Sequence, residues 1–84
     1  MTIQQQIRGE VLLQLYGAGQ GISLGLPQIH RTAQRSGLLC TAQEIQQAAL
    51  FLVGQGHAQK VLDQATGEQR FEITSAGVLH KENA

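Results

Sequence analysis

Residues 40–50 read CTAQEIQQAAL, and the parsing of that stretch decides the fold. Thr41 stands three positions before Glu44, the spacing of a capping box in which each side chain satisfies the other residue's backbone N–H. A helix therefore begins here. Behind the cap, Ile45, Ala48, Ala49, Leu52 and Val53 recur every three or four residues and form one apolar face, until Gly54-Gln55-Gly56 breaks the pattern. Gln43, Gln46, Gln47 and Leu50 fall on the opposite side.

Upstream, Leu38-Leu39-Cys40 forms a short apolar turn, and Gly37 supplies the left-handed stop of an earlier helix. That second helix starts near Pro27, whose fixed φ and missing N–H suit a first turn, and continues through Ile29, His30 and Ala33 to Ser36. Two helices meet across a tight joint. Before them, Ile22-Ser23-Leu24 reads as a short extended edge piece, and Gly17-Ala18-Gly19-Gln20-Gly21 as the end of a first helix. That helix, residues 2–16, carries Ile3, Ile7, Val11, Leu12, Leu15 and Tyr16 as its apolar stripe.

Downstream the period changes. Residues 57–63 and 69–74 read as extended runs, with Phe71 and Ile73 alternating against Arg70 and Glu72, and a polar tip holding Gly67 lies between them. This is a β-hairpin. A short last helix follows, capped by Thr74 or Ser75, with Val78 and Leu79 expected to dock. The expected core is Ile7, Val11, Leu15, Ile29, Ile45, Ala49, Leu52, Phe71 and Ile73.

Composition sets the frame. Eighty-four residues suffice for one module, residues 1–84, and a hydrophobic share of 42% can form its core, whereas charged residues are only 14%. Six basic residues balance six acidic ones, so a strong nonspecific nucleic-acid binder, which commonly carries basic excess, is disfavoured. A single cysteine and an N-terminus without a charged and apolar leader pattern give the expectation of a cytoplasmic protein. No apolar run approaches the roughly 18 residues of a membrane span, so no membrane association is expected. The longest, residues 48–53, reads as a buried helix segment.

Taken in order, LPQIHRTAQRSGLLCTAQEIQQAALFLVGQG followed by HAQKVLDQATGEQRFEITSAGVLHKE resembles the winged helix-turn-helix family across essentially the whole chain. The second stretch looks like a wing followed by the F-x-I-T-x-x-G strand-to-helix junction of many small bacterial and phage members. The resemblance implies an α+β fold, with a three-helix core, a C-terminal β-hairpin wing and a short last helix. It further implies that helix 41–53 enters the major groove of double-stranded DNA while hairpin 57–74 contacts backbone or minor groove. Such a protein would be a transcriptional regulator or a phage or prophage accessory factor.

The candidate DNA-binding residues are Thr41, Gln43, Gln46 and Gln47 on the third helix, with Arg31, Arg35, Lys60 and Arg70 as phosphate clamps. Glutamine amides can pair in bidentate fashion with adenine edges, although glutamine is also an ordinary helix former on a solvated face. Arg31 and Arg35, four apart, share one side of the second helix. So few cations imply that tight binding needs a dimer or a larger complex. Residues 41–53 contain no basic residue and one acidic one. The alternative, from a different class, is a winged-helix protein-protein interaction module that contacts a protein partner or a second copy without binding DNA.

Other chemistries are set aside. The glycines of GAGQGISLG match neither the dinucleotide fingerprint nor the phosphate loop. His30, His57 and His80 are isolated in sequence and lack neighbouring ligands at metal spacing. Cys40 precedes a helix start, where the dipole can lower a thiol pKa, but it reads first as a small residue in an apolar turn. No nucleophile, base and orienting group occur together, so neither an enzyme nor a cofactor or small-molecule substrate is expected.

Overall fold

A computed structural model describes residues 2–83. They form an α+β domain of four helices and one three-stranded antiparallel sheet: α1 Ile3–Ala18, β1 Leu24–Gly25, α2 Leu26–Arg35, α3 Ala42–Gly54, β2 Ala58–Leu62, β3 Gln69–Ile73 and α4 Ser75–Glu82. The sheet order is β1-β3-β2, with β3 in the centre. Phe71 thus sits between Leu24 on one neighbour and Lys60 on the other.

Local chemistry accounts for each boundary. Thr2, Thr41 and Thr74 cap α1, α3 and α4, and the first two make full capping boxes with Gln5 and Glu44. Thr41 N donates to Glu44 Oε1 at 2.9 Å, and Glu44 N donates to Thr41 Oγ1 at 3.1 Å. Helices α2 and α3 end alike. After α2, Gly37 at φ 87° lets Leu38 N reach the Ala33 carbonyl at 3.1 Å and Gly37 N reach that of Gln34 at 3.0 Å. After α3, Gly56 at φ 79° lets His57 N reach Leu52 O at 2.9 Å and Gly56 N reach Val53 O at 3.0 Å. Both are Schellman closures, which satisfy the final carbonyls while turning the chain sharply.

The core gathers Ile7, Val11, Leu12, Leu15, Ile29, Ala33, Ile45, Ala48, Ala49, Leu52, Ala58, Phe71 and Ile73, all buried. Every core residue named from the sequence is among them, and α1 rests against α2, α3, β3 and α4 at once. Leu12, Ala33, Ala48 and Ala58 complete the set. Full burial of one large aliphatic or aromatic side chain contributes roughly 1.5–3 kcal/mol, so the interior dominates stabilisation.

Several expectations need correction. Helix α1 runs through Gly17 to Ala18, because its stop is Gly19 at φ 91° rather than Gly17. Ile3, at the capped first turn of α1, is exposed. The first strand begins at Leu24, later than Ile22, and pairs only where β3 opposes it. Leu79 does not dock: it is 59% exposed, and Gly77 takes the buried position on α4 beside half-buried Val78. The 48–53 run is not wholly buried either, since Leu50 and Phe51 face outward while Ala48, Ala49 and Leu52 face the core.

Candidate nucleic-acid interface

The capped start of α3 fixes the rotation of the helix. With Ile45, Ala49 and Leu52 driven inward, Gln43, Gln46, Gln47 and Leu50 must face out, and all four are exposed. Their spacing makes one uncharged stripe about two turns long. None of the three amides makes an intramolecular hydrogen bond among the described residues, whereas those of Gln5, Gln14, Gln20 and Gln59 do. Glu44, the only charge on α3, turns back onto the Thr41 N–H. Thr41 Oγ1 already accepts from Glu44 N, which leaves its proton to donate.

The joint before α3 is pinned from α2. His30 Nε2 lies 2.8 Å from the Cys40 carbonyl, which can only accept, so that nitrogen carries the proton. Burial, then the carboxylates of Glu44 and Glu10, push the Cys40 thiol up from its ordinary pKa. The helix dipole does not activate the thiol, because a partly desolvated thiolate facing two anions is disfavoured.

The cations divide into two groups. Arg31 and Arg35 on α2 and Lys60 on β2 are exposed and have no ion-pair partner among the described residues. Arg70 is differently placed. Its Nε donates to Ser23 Oγ at 2.9 Å, its Nη2 donates to the Ser23 carbonyl at 2.7 Å, and its Nη1 lies 3.6 Å from Glu68 Oε2. It buttresses the short β1 edge against β3. Ser23 gave no sequence signal for this role beyond its place beside the edge strand.

Two further juxtapositions were not anticipated. The Arg8 guanidinium stands 3.7 Å over the ring of Phe51, joining α1 to α3. Phe51 lies four residues beyond Gln47, and that spacing was the available hint that it faces outward. His57 and His80, far apart in sequence, stack with ring centroids 4.2 Å apart and planes inclined by 18°. Leu12, Phe51 and Leu52 line an open groove beside that stack.

No group of three or more His, Cys, Asp or Glu residues gathers as a metal centre among the described residues. No helix there is long and apolar enough to cross a membrane. Comparison with protein-family models, with curated proteins and with solved structures found no match.

Proposed function

We propose that this chain is a winged helix-turn-helix domain that binds double-stranded DNA as a non-enzymatic, cytoplasmic regulator or accessory factor. In this reading α3 enters the major groove and the β2–β3 hairpin is the wing. The observation that carries it is the stripe of three unengaged glutamine amides on a helix whose other side is locked into the core. Further support comes from the element order, from the tight α2–α3 joint, and from the hairpin packed as the two outer-to-central strands of the sheet. Arg31, Arg35 and Lys60 supply phosphate contacts, and Thr41 donates its hydroxyl proton to the backbone.

The test is a titration of isotope-labelled protein with random duplex DNA at low salt, followed by amide chemical shifts and repeated at higher salt. Shifts confined to α3, Arg31, Arg35 and the hairpin, and weakening with salt, support the reading. An absence of shifts at low salt removes it.

A second reading, a protein-interaction module, is favoured by one observation: Phe51, 41% exposed, and Leu50 interrupt the polar face of α3 next to the apolar groove. Under that reading the same titration is silent, and the Arg8–Phe51 surface is where a protein partner or second copy binds.

A further inference from the structure

Resting on the DNA-binding reading, we infer that α3 selects an A·T-rich core in the major groove, with guanine disfavoured along the stripe. The argument starts from what each base edge demands. Guanine presents two acceptors, O6 and N7, best matched by arginine or lysine, and cytosine presents the N4 donor, best matched by a carboxylate. Helix α3 contains no arginine, lysine or aspartate, and the carboxylate of its one glutamate accepts from the Thr41 N–H within the cap. Neither member of a G·C pair has its best partner here.

Adenine places an acceptor, N7, beside a donor, the N6 amino group, and a glutamine amide offers the complementary donor and acceptor together. Gln43, Gln46 and Gln47 carry three such amides, exposed and unengaged among the described residues. Thymine adds a methyl group, and Leu50 continues the same stripe with an apolar surface to receive it. A G·C pair at that position would leave polar edge atoms desolvated against leucine without partners. The exposed cations lie on α2 and β2 rather than on α3, so their phosphate contacts hold the domain in place without carrying sequence information.

The experiment compares two duplexes of equal length and identical flanks, one with an A·T core and one with a G·C core, by fluorescence anisotropy at low salt. The A·T core is expected to bind at least about fivefold more tightly for each amide that pairs. Replacing core adenines by 7-deaza-adenine, or core thymines by uracil, removes the N7 acceptor or the methyl group while leaving every phosphate in place. Both replacements are expected to weaken binding, and Gln46→Ala with Gln47→Ala is expected to reduce the preference by at least about twenty-five-fold if both amides pair, leaving only what Gln43 and Leu50 contribute. Those substitutions fall at exposed positions, and circular dichroism verifies that the fold is retained.

Equal, salt-dependent binding to both cores overturns base selection while leaving DNA binding intact. An A·T preference indifferent to 7-deaza-adenine and to the double substitution also overturns it, because the selectivity then comes from minor-groove shape. Failure to bind any duplex overturns this inference and the DNA reading together.

Discussion

The phenol of Tyr16, in the last turns of α1, donates to Glu82 Oε2 at 3.1 Å across 66 positions of sequence, clasping α1 to α4. The hydrogen bond and the negative charge of Glu82 both hold the phenol above its usual pKa. Because Tyr16 is the only tyrosine and the chain has no tryptophan, its phenolate absorbance reports this clasp alone. The expected titration midpoint lies above the ordinary value of about 10, and Glu82→Gln moves it back down. The linkage has a definite sign: the clasp contributes fully below the unfolded pKa, and its contribution is lost as pH rises through the folded one. An unshifted midpoint in the native protein would show that α4 does not hold this position in solution.

Cys40 provides a second single-residue probe. Its thiol is pushed up by burial and by Glu44 and Glu10, so less of it is thiolate at neutral pH. Alkylation of the folded protein should be slower than that of free cysteine at the same pH, and should reach the free rate in denaturant. Equal rates in the folded protein would mean that the α2–α3 joint is open.

The caps differ in expected weight. Thr41→Ala removes an exposed capping interaction and should cost about 1 kcal/mol in chemical denaturation. Thr74 has more to lose, because its Oγ1 accepts from Gly77 N at 3.1 Å and also donates to the Gly56 carbonyl at 2.6 Å. Thr74→Ala should cost more, about 1–3 kcal/mol.

Two buried glycines make a matched pair. A methyl group at Gly77 would collide with the His57 carbonyl oxygen and stand 2.7 Å from Ile73 Cγ1, neither of which can swing aside cheaply. Gly77→Ala should lose about 1–3 kcal/mol. At Gly25 the obstacle is the Glu68 carboxylate, the far end of a flexible chain. Gly25→Ala should therefore lose little beyond the surface pairing of Glu68 with Arg70, within about 1 kcal/mol. Calorimetry of the two variants measures both, and a reversed order would refute the packing of α4 onto the start of β2.

For DNA, the counterion slope distinguishes the cations. If Arg31, Arg35 and Lys60 each contact a phosphate, log affinity against log salt should have a slope of roughly −3, reduced in magnitude by about 1 for each alanine substitution. Arg70→Ala should instead leave the slope unchanged and lower stability, since its guanidinium holds Ser23. A change in slope at Arg70 would return it to the phosphate contacts.

The helices and the hairpin were legible because their signals are local. Thr41 with Glu44, Gly37, Gly56 and the alternation of Phe71 and Ile73 each specify a conformation within a few residues. The face of α3 followed, because burying Ile45, Ala49 and Leu52 leaves the glutamines outside. What escaped the sequence depends on distant partners. The hold of Arg70 on Ser23, the placement of Arg8 over Phe51 and the stacking of His57 on His80 arise only when separate elements meet, and none is written in a local spacing. That Gly77 rather than Leu79 is the buried residue of α4 escaped for the same reason: the close approach of α4 to the His57 carbonyl leaves room for a hydrogen atom and nothing larger.

Because α1 rests on α3, β3 and α4, its burial has a timetable during synthesis. The stripe of Ile7, Val11, Leu12 and Leu15 leaves the ribosome ahead of the elements that cover it, and α3 is its first substantial partner. Phe71 and Ile73 follow only near the end of the described chain. At roughly 5–20 residues per second, the stripe waits on the order of seconds with its β3-facing side uncovered. A nascent chain arrested before β3 should accordingly be a better chaperone client and protease substrate than one arrested after it.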